Sequence, residues 1–148
     1  MHYSFQSPTH LYMALDYLPG GDLFYHKNFS KPFTEKTIRF YISELVLALK
    51  SLHEIGIIYR DLKPENIILD IKGHLHLVDF GLSTDKVFSA TKGCQHLCGT
   101  IHYVATEMLF KNEYGTGVDW WSLGIIMYEL FYKAPPWYSK DNNIEKMI

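Results

Sequence analysis

"IIYRDLKPENIIL", residues 57–69, sets an Arg-Asp pair, a Lys, a Pro, a Glu and an Asn between two apolar runs. The flanks, "GIIY" and "NIILD", read as short strands, so the polar centre is a loop, pinned by Pro64. Within it Asp61 is a carboxylate able to orient a hydroxyl and accept its proton. Lys63 is a cation for a transferring group, and Asn66 is an oxygen ligand for a hard metal such as Mg²⁺. A second carboxylate, Asp79 of "DFG" (79–81), ends "HLHLVDF" (74–80), whose alternation suits a half-buried strand; Gly81 frees the backbone to turn. Each piece alone would be a turn. Together, with strands on both sides, they make a site.

Working outward, "LYMALDYL" (11–18) reads as a buried strand ended by "PGG" at 19–21. A short helix is predicted from Asp22 to about Asn28, with Asp22 as the acidic residue of its first turn. Thr34 has N-cap character. After it Ile38, Tyr41, Ile42, Leu45, Leu49 and Leu52 recur at helical spacing until Gly56. From Gly81 to about Gly117 periodicity vanishes, and a structureless stretch of that length points to function or mobility. An apolar helix follows from about Val118 to Tyr132, closed by "APPW", and the last residues before Ile148 suggest the start of another.

The 148 residues, 47% hydrophobic and 20% charged, suit one domain with one core. A net charge of −2 gives no electrostatic reason to expect nucleic acid or a membrane surface as partner. Two cysteines are too few for a disulfide framework, which favours a reducing compartment. The N-terminus lacks the basic region and unbroken apolar core of a signal peptide. The longest apolar stretch holds Asp119 and Glu129, so it reads as a buried helix. The expected location is cytoplasmic, with the nucleus also open. Cys94, His96 and Cys98, even with His74 and His76, lack the spacing of a zinc knuckle and read as ordinary loop residues.

"YRDLKPEN" resembles the catalytic loop of the eukaryotic protein kinases, and "DFG" their metal-binding motif. "CGTIHYVATEM" is similar to the end of the activation segment, and "VDWWSLGIIMYELFYKAPPW" to the buried helix of the large lobe. Tyr59 in place of the commoner His, with "DWW" and "CGT", points to the AGC group of serine/threonine kinases; "GTI", "DFGLS" and "WWSLGIIMYEL" look nearest its ribosomal-protein kinase branch. The resemblance runs from about Leu11 to Trp137.

It implies an α+β fold: a mostly helical large lobe with short β-hairpins over residues 19–148, and the end of a small lobe plus the hinge over 1–18. It also implies ATP, Mg²⁺, and a protein or peptide substrate with basic residues. Carried over, Asp61 would take the substrate hydroxyl's proton, Lys63 would neutralise the phosphoryl group, and Thr100 would steady both. Asn66 and Asp79 would hold Mg²⁺. In "ALDYL", Leu15 would be the gatekeeper, with the backbone of Asp16 and Leu18 facing the adenine and Ile68 beneath it. Asp22, Glu65 and Glu129 match acids that this group sets against basic peptide residues, arginine above all, and Asp22 is also within reach of the ribose. The competing reading of those three is a solvated surface. Asp119 would receive backbone hydrogen bonds from the catalytic loop.

The sequence departs from the pattern in three ways. It begins only about ten residues before the hinge strand and its first lysine is Lys27, so the Gly-rich loop, strand lysine and paired glutamate of the small lobe are expected to be absent. The large lobe is likewise expected to stop after the start of a helix. Ala105-Thr106-Glu107 stands for Ala-Pro-Glu, whose glutamate pairs with a later arginine in the family. His96 occupies the place of an activating phosphothreonine, whose phosphate Arg60 would bind; a protonated His96 would repel Arg60 instead. Two readings follow. One is a serine/threonine kinase whose 148 residues are inactive by themselves. The other is a catalytically silent kinase-like protein that engages a partner through its peptide groove or exposed hinge strand.

Overall fold

The structure is a computed structural model that describes residues 1–29 and 32–137. Two long helices carry the core. α2 (Glu35–Glu54) begins at Thr34, whose backbone is extended and whose hydroxyl accepts the Thr37 N–H at 3.1 Å. Its Ile38, Leu45 and Leu49 turn inward. It ends at Gly56, which has φ 77° and lies so near Phe88 that a β-carbon would come within 2.6 Å of the ring. α4 (Gly117–Tyr132) packs against α2 and buries Leu123, Ile126 and Leu130 in the same cluster. Tyr59, Leu62 and Ile67, from the segment between the helices, join that cluster. Each such side chain contributes about 1.5–3 kcal/mol by leaving water. The segment 59–67 is therefore fixed from below by the main core.

Two hairpins flank this core. β1 (Tyr3–Gln6) pairs antiparallel with β2 (Leu11–Ala14) across a turn in which the Ser7 hydroxyl accepts the His10 N–H at 3.1 Å. β3 (Ile67–Leu69) pairs antiparallel with β4 (Leu75–Leu77) in the register Ile67 to Leu77 and Leu69 to Leu75. The Asp70 carboxylate ties its turn by accepting the N–H groups of Lys72 and His74 at 2.8 and 2.9 Å. A second, smaller core includes Ile58, Val104, Ala105, Met108, Tyr114 and Val118, and Trp121 packs against both cores. Among the described residues no helix is long and apolar enough to cross a membrane.

The α+β architecture agrees with the sequence, while five details differ. β2 is shorter than the predicted strand over 11–18 and lies largely exposed, its Tyr12 ring stacked on Phe5 of β1 at 4.9 Å. β1 has no counterpart in the sequence reading. "GIIY" forms only a single bridge, Ile58 to Thr84, because the chain turns into the loop at once. Asp22 precedes α1 (Leu23–Phe29) and caps it, its Oδ1 accepting the Tyr25 N–H at 2.7 Å, so it is not part of the first turn. Residues 81–117 are not structureless. They hold a 3₁₀ turn (Ile101–Tyr103), the short α3 (Thr106–Leu109) and a bridge between Cys94 and Tyr114. The predicted helix before Ile148 lies outside the described residues.

Candidate active site

The loop before Asp61 hangs from one buried carboxylate. Asp119, fully buried at the start of α4, accepts the Tyr59 N–H at 2.9 Å and the Arg60 N–H at 2.8 Å, and its Oδ2 lies 2.7 Å from His53 Nε2. This is the structural role expected of Asp119. Arg60 is held at φ 68° and Asp79 at φ 58°, left-handed conformations that non-glycine residues adopt at a cost of about 1–3 kcal/mol. Both positive-φ residues flank the cluster of polar side chains that follows.

Asp61, Lys63 and Thr100 close a ring. Lys63 Nζ donates to Asp61 Oδ2 at 2.8 Å and to Thr100 Oγ1 at 2.9 Å, and the Thr100 hydroxyl donates to Asp61 Oδ1 at 2.8 Å. Asn66 Nδ2 adds bonds to the Asp61 carbonyl at 3.0 Å and to Oδ2 at 3.1 Å. The carboxylate is thus oriented by three side chains from two segments 37 to 39 residues apart in sequence. Gly99 permits the approach: its φ is 92°, and a β-carbon there would sit 2.5 Å from the Arg60 carbonyl oxygen.

The β3–β4 hairpin brings the second carboxylate to the same end. Asn66 precedes β3, Asp79 follows β4, and the Val78 N–H bonds to the Asn66 carbonyl at 3.0 Å. The Asp79 side chain is exposed and, among the described residues, accepts the Gly81 N–H at 3.1 Å. With the Asn66 nitrogen turned to Asp61, the donor set offered here is oxygen, which suits a hard cation such as Mg²⁺. Tyr59 couples the two segments: its hydroxyl donates to the Val78 carbonyl and its ring meets Phe80 edge-on at 5.1 Å. Burial, reinforced by Asp61 and Asp79, raises the Tyr59 phenol well above its ordinary pKa, so it stays a donor.

Beside β3, the Gly20 N–H bonds to the Leu69 carbonyl and the Leu69 N–H to the Gly21 carbonyl, both at 2.9 Å, and Asp22 bridges to Ile68. Asp22 and Ile68 therefore adjoin. Leu15 is 62% exposed and Leu18 half-buried. The Asp16 carboxylate pairs with His2 at 2.7 Å, and that hydrogen bond holds its pKa below the ordinary value.

The acids expected to face a basic peptide differ in exposure. Glu65 is exposed. Glu129 is not available as expected: it is 2% exposed, its Oε1 takes the Lys27 ammonium, and its Oε2 accepts the Tyr103 hydroxyl at 2.7 Å. In the activation segment, Arg60 donates from Nε to the Leu82 carbonyl at 2.7 Å and from Nη1 to the Tyr114 hydroxyl at 3.2 Å. His96 is exposed and shares a cavity of about 410 Å³ with Arg60, Cys94 and Glu113. Glu107, half-buried, makes no ion pair among the described residues. The sequence reading missed Lys27, Tyr103 and Tyr114. For Lys27 a signal existed, since it lies one helical turn after the buried Leu23.

The protein kinase domain family matches residues 1–148. A RAC family serine/threonine-protein kinase homolog of Dictyostelium discoideum is 48% identical over 141 residues, covering 95% of this chain and 32% of the relative. Serine/threonine-protein kinase sgk-1 of Caenorhabditis elegans is 49% identical over 143 residues, 97% of this chain and 31% of its own length. Human serine/threonine-protein kinase Sgk1 is 47% identical over 141 residues, 95% and 32%. All three are kinases of the AGC type. The chain spans about a third of the length of the curated relatives it matches.

Proposed function

The chain belongs to the protein kinase family, and on that premise we propose that its site serves the transfer of a phosphoryl group from Mg²⁺-ATP to a serine or threonine hydroxyl. The closed contact of Asp61, Lys63 and Thr100 carries this reading. Asp61 orients the incoming hydroxyl and accepts its proton. Lys63, fixed on both Asp61 and Thr100, places a cation where charge develops on the transferring group, in a position that needs no rearrangement. Asn66 and Asp79 supply oxygen ligands for the metal. When bound, Mg²⁺-ATP supplies the transferable group and the charge neutralisation around it. The adenine would lie along Leu15, Asp16 and Leu18 over Ile68, with Asp22 near the ribose. The substrate is a protein segment with a basic residue, for which the exposed Glu65 offers a carboxylate.

The groups that grip the ATP phosphates in this family, a Gly-rich loop and a strand lysine, are not among these 148 residues. By themselves the residues are therefore expected to give no measurable transfer, and Mg²⁺-ATP is expected to shift the melting temperature little. The test is a chimera in which this chain replaces the 141 matched residues of human Sgk1. Mg²⁺-dependent phosphorylation of a serine peptide, lost in Asp61→Asn, is expected. A folded chimera without transfer would overturn the proposal.

A further inference from the structure

The peptide-side cavity, about 440 Å³, is lined by Glu65, Thr100, Tyr103, Lys133 and the pair Lys27–Glu129. Lys27 lies on the inward face of α1 at 5% exposure, with its ammonium on Glu129 and 5.0 Å from the Phe24 ring. With Tyr103 on the other oxygen, both oxygens of Glu129 already have donors. The cation that meets Glu129 is of the kind that a basic substrate residue would bring, but it is tethered within the fold. A tethered group competes at an effective concentration that a free peptide side chain cannot match. Lys133 adds a second positive charge to the same walls.

We propose that Lys27 is an internal surrogate for a substrate cation, and that it sets specificity. It occupies the carboxylate of Glu129, so this subsite accepts no arginine, and basic selection falls to Glu65. The inference rests on the kinase reading of the groove and narrows its substrate class to segments with an uncharged residue facing Glu129.

The test uses the 148-residue chain and fluorescent alanine-based serine peptides in which one arginine is walked through the positions around the serine. The wild type is expected to gain nothing from arginine at one position where Lys27→Met gains about tenfold in affinity or more, and Lys27→Met with Glu129→Gln is expected to lose that gain. A wild type that already prefers arginine there, or a folded Lys27→Met with no new preference, overturns the proposal. Should Lys27→Met fail to fold, acetic anhydride labelling read by mass spectrometry decides. Lys27 should react at least about tenfold more slowly than the exposed Lys72 and be released in Glu129→Gln; equal rates in the wild type overturn the proposal. A new arginine position in a chain whose chimera transfers no phosphate would sink the kinase reading alone. Active transfer with an unchanged arginine profile would sink this inference alone.

Discussion

Arg60 donates to the hydroxyl of Tyr114 at 3.2 Å, and that hydroxyl donates onward to the His96 carbonyl at 2.6 Å. Tyr114, 1% exposed, also exchanges both backbone bonds with Cys94, at 2.8 and 3.0 Å. The loop that carries His96 is thereby fastened to Arg60 through the neutral Tyr114 hydroxyl, at the place where the AGC resemblance would have a phosphate meet Arg60. Tyr114→Phe leaves a guanidinium N–H and a carbonyl without their partner, which should cost about 1–3 kcal/mol. Urea unfolding measures the loss, and amide exchange over 94–98 should accelerate. Unchanged stability and exchange would show that the hydroxyl fastens nothing.

Asp119 is the anchor beneath the loop. Asp119→Ala orphans the N–H groups of Tyr59 and Arg60 and the contact to His53 in one step. A loss of about 3–5 kcal/mol is expected, read as a lower urea midpoint, and for a single domain of marginal stability that approaches complete unfolding. A loss below about 1 kcal/mol would mean that the loop holds its shape without the carboxylate.

Gly99→Ala tests the close approach of the Thr100 segment to the loop. The new β-carbon would meet the Arg60 carbonyl oxygen at 2.5 Å with φ at 92°, so backbone has to move. A destabilisation of about 1–3 kcal/mol is expected, with chemical-shift changes at Asp61 and Lys63 in NMR spectra. An unchanged spectrum would contradict the geometry.

One pH effect follows from the hairpin. His74 Nδ1 lies 2.5 Å from Glu44 Oε1, and that hydrogen bond raises its pKa above the ordinary value. A raised folded-state pKa gives stability that is fully present below about pH 6.5 and is lost as pH rises through the folded value. The melting-temperature difference between wild type and His74→Gln should therefore be positive at pH 5.5 and vanish by pH 9. Because His74 is solvent-exposed the difference should be small, and added salt should shrink it. A difference that grows with pH would reverse the assignment.

Much of this was legible from residue patterns. Thr34 and the spacing from Ile38 to Leu52 mark α2 because capping and one-sided burial both leave local traces, and the observed helix starts at Glu35. Asp61, Lys63 and Asn66 were legible together because they sit on one loop, whereas Asp79 lies at the end of the neighbouring hairpin, outside their hydrogen bonds. β1 escaped because its partner β2 was read as buried, whereas both strands lie exposed. Lys27 and Tyr114 escaped for a different reason. Their partners Glu129 and Arg60 lie 102 and 54 residues away in sequence, and no local spacing reports a contact made by tertiary packing. The helical turn from Leu23 to Lys27 signals an inward-facing lysine, but the carboxylate that it meets shows only in the fold.

The most direct measurement is the rate of phosphoryl transfer to a serine peptide by the Sgk1 chimera that carries this chain, with and without Asp61→Asn. If the Asp61–Lys63–Thr100 ring is the proton-accepting and charge-stabilising centre, the substitution should lower the rate by about 10²–10⁴-fold while leaving the melting temperature close to that of the parent. A folded Asp61→Asn chimera that transfers phosphate at the parent rate would contradict the account.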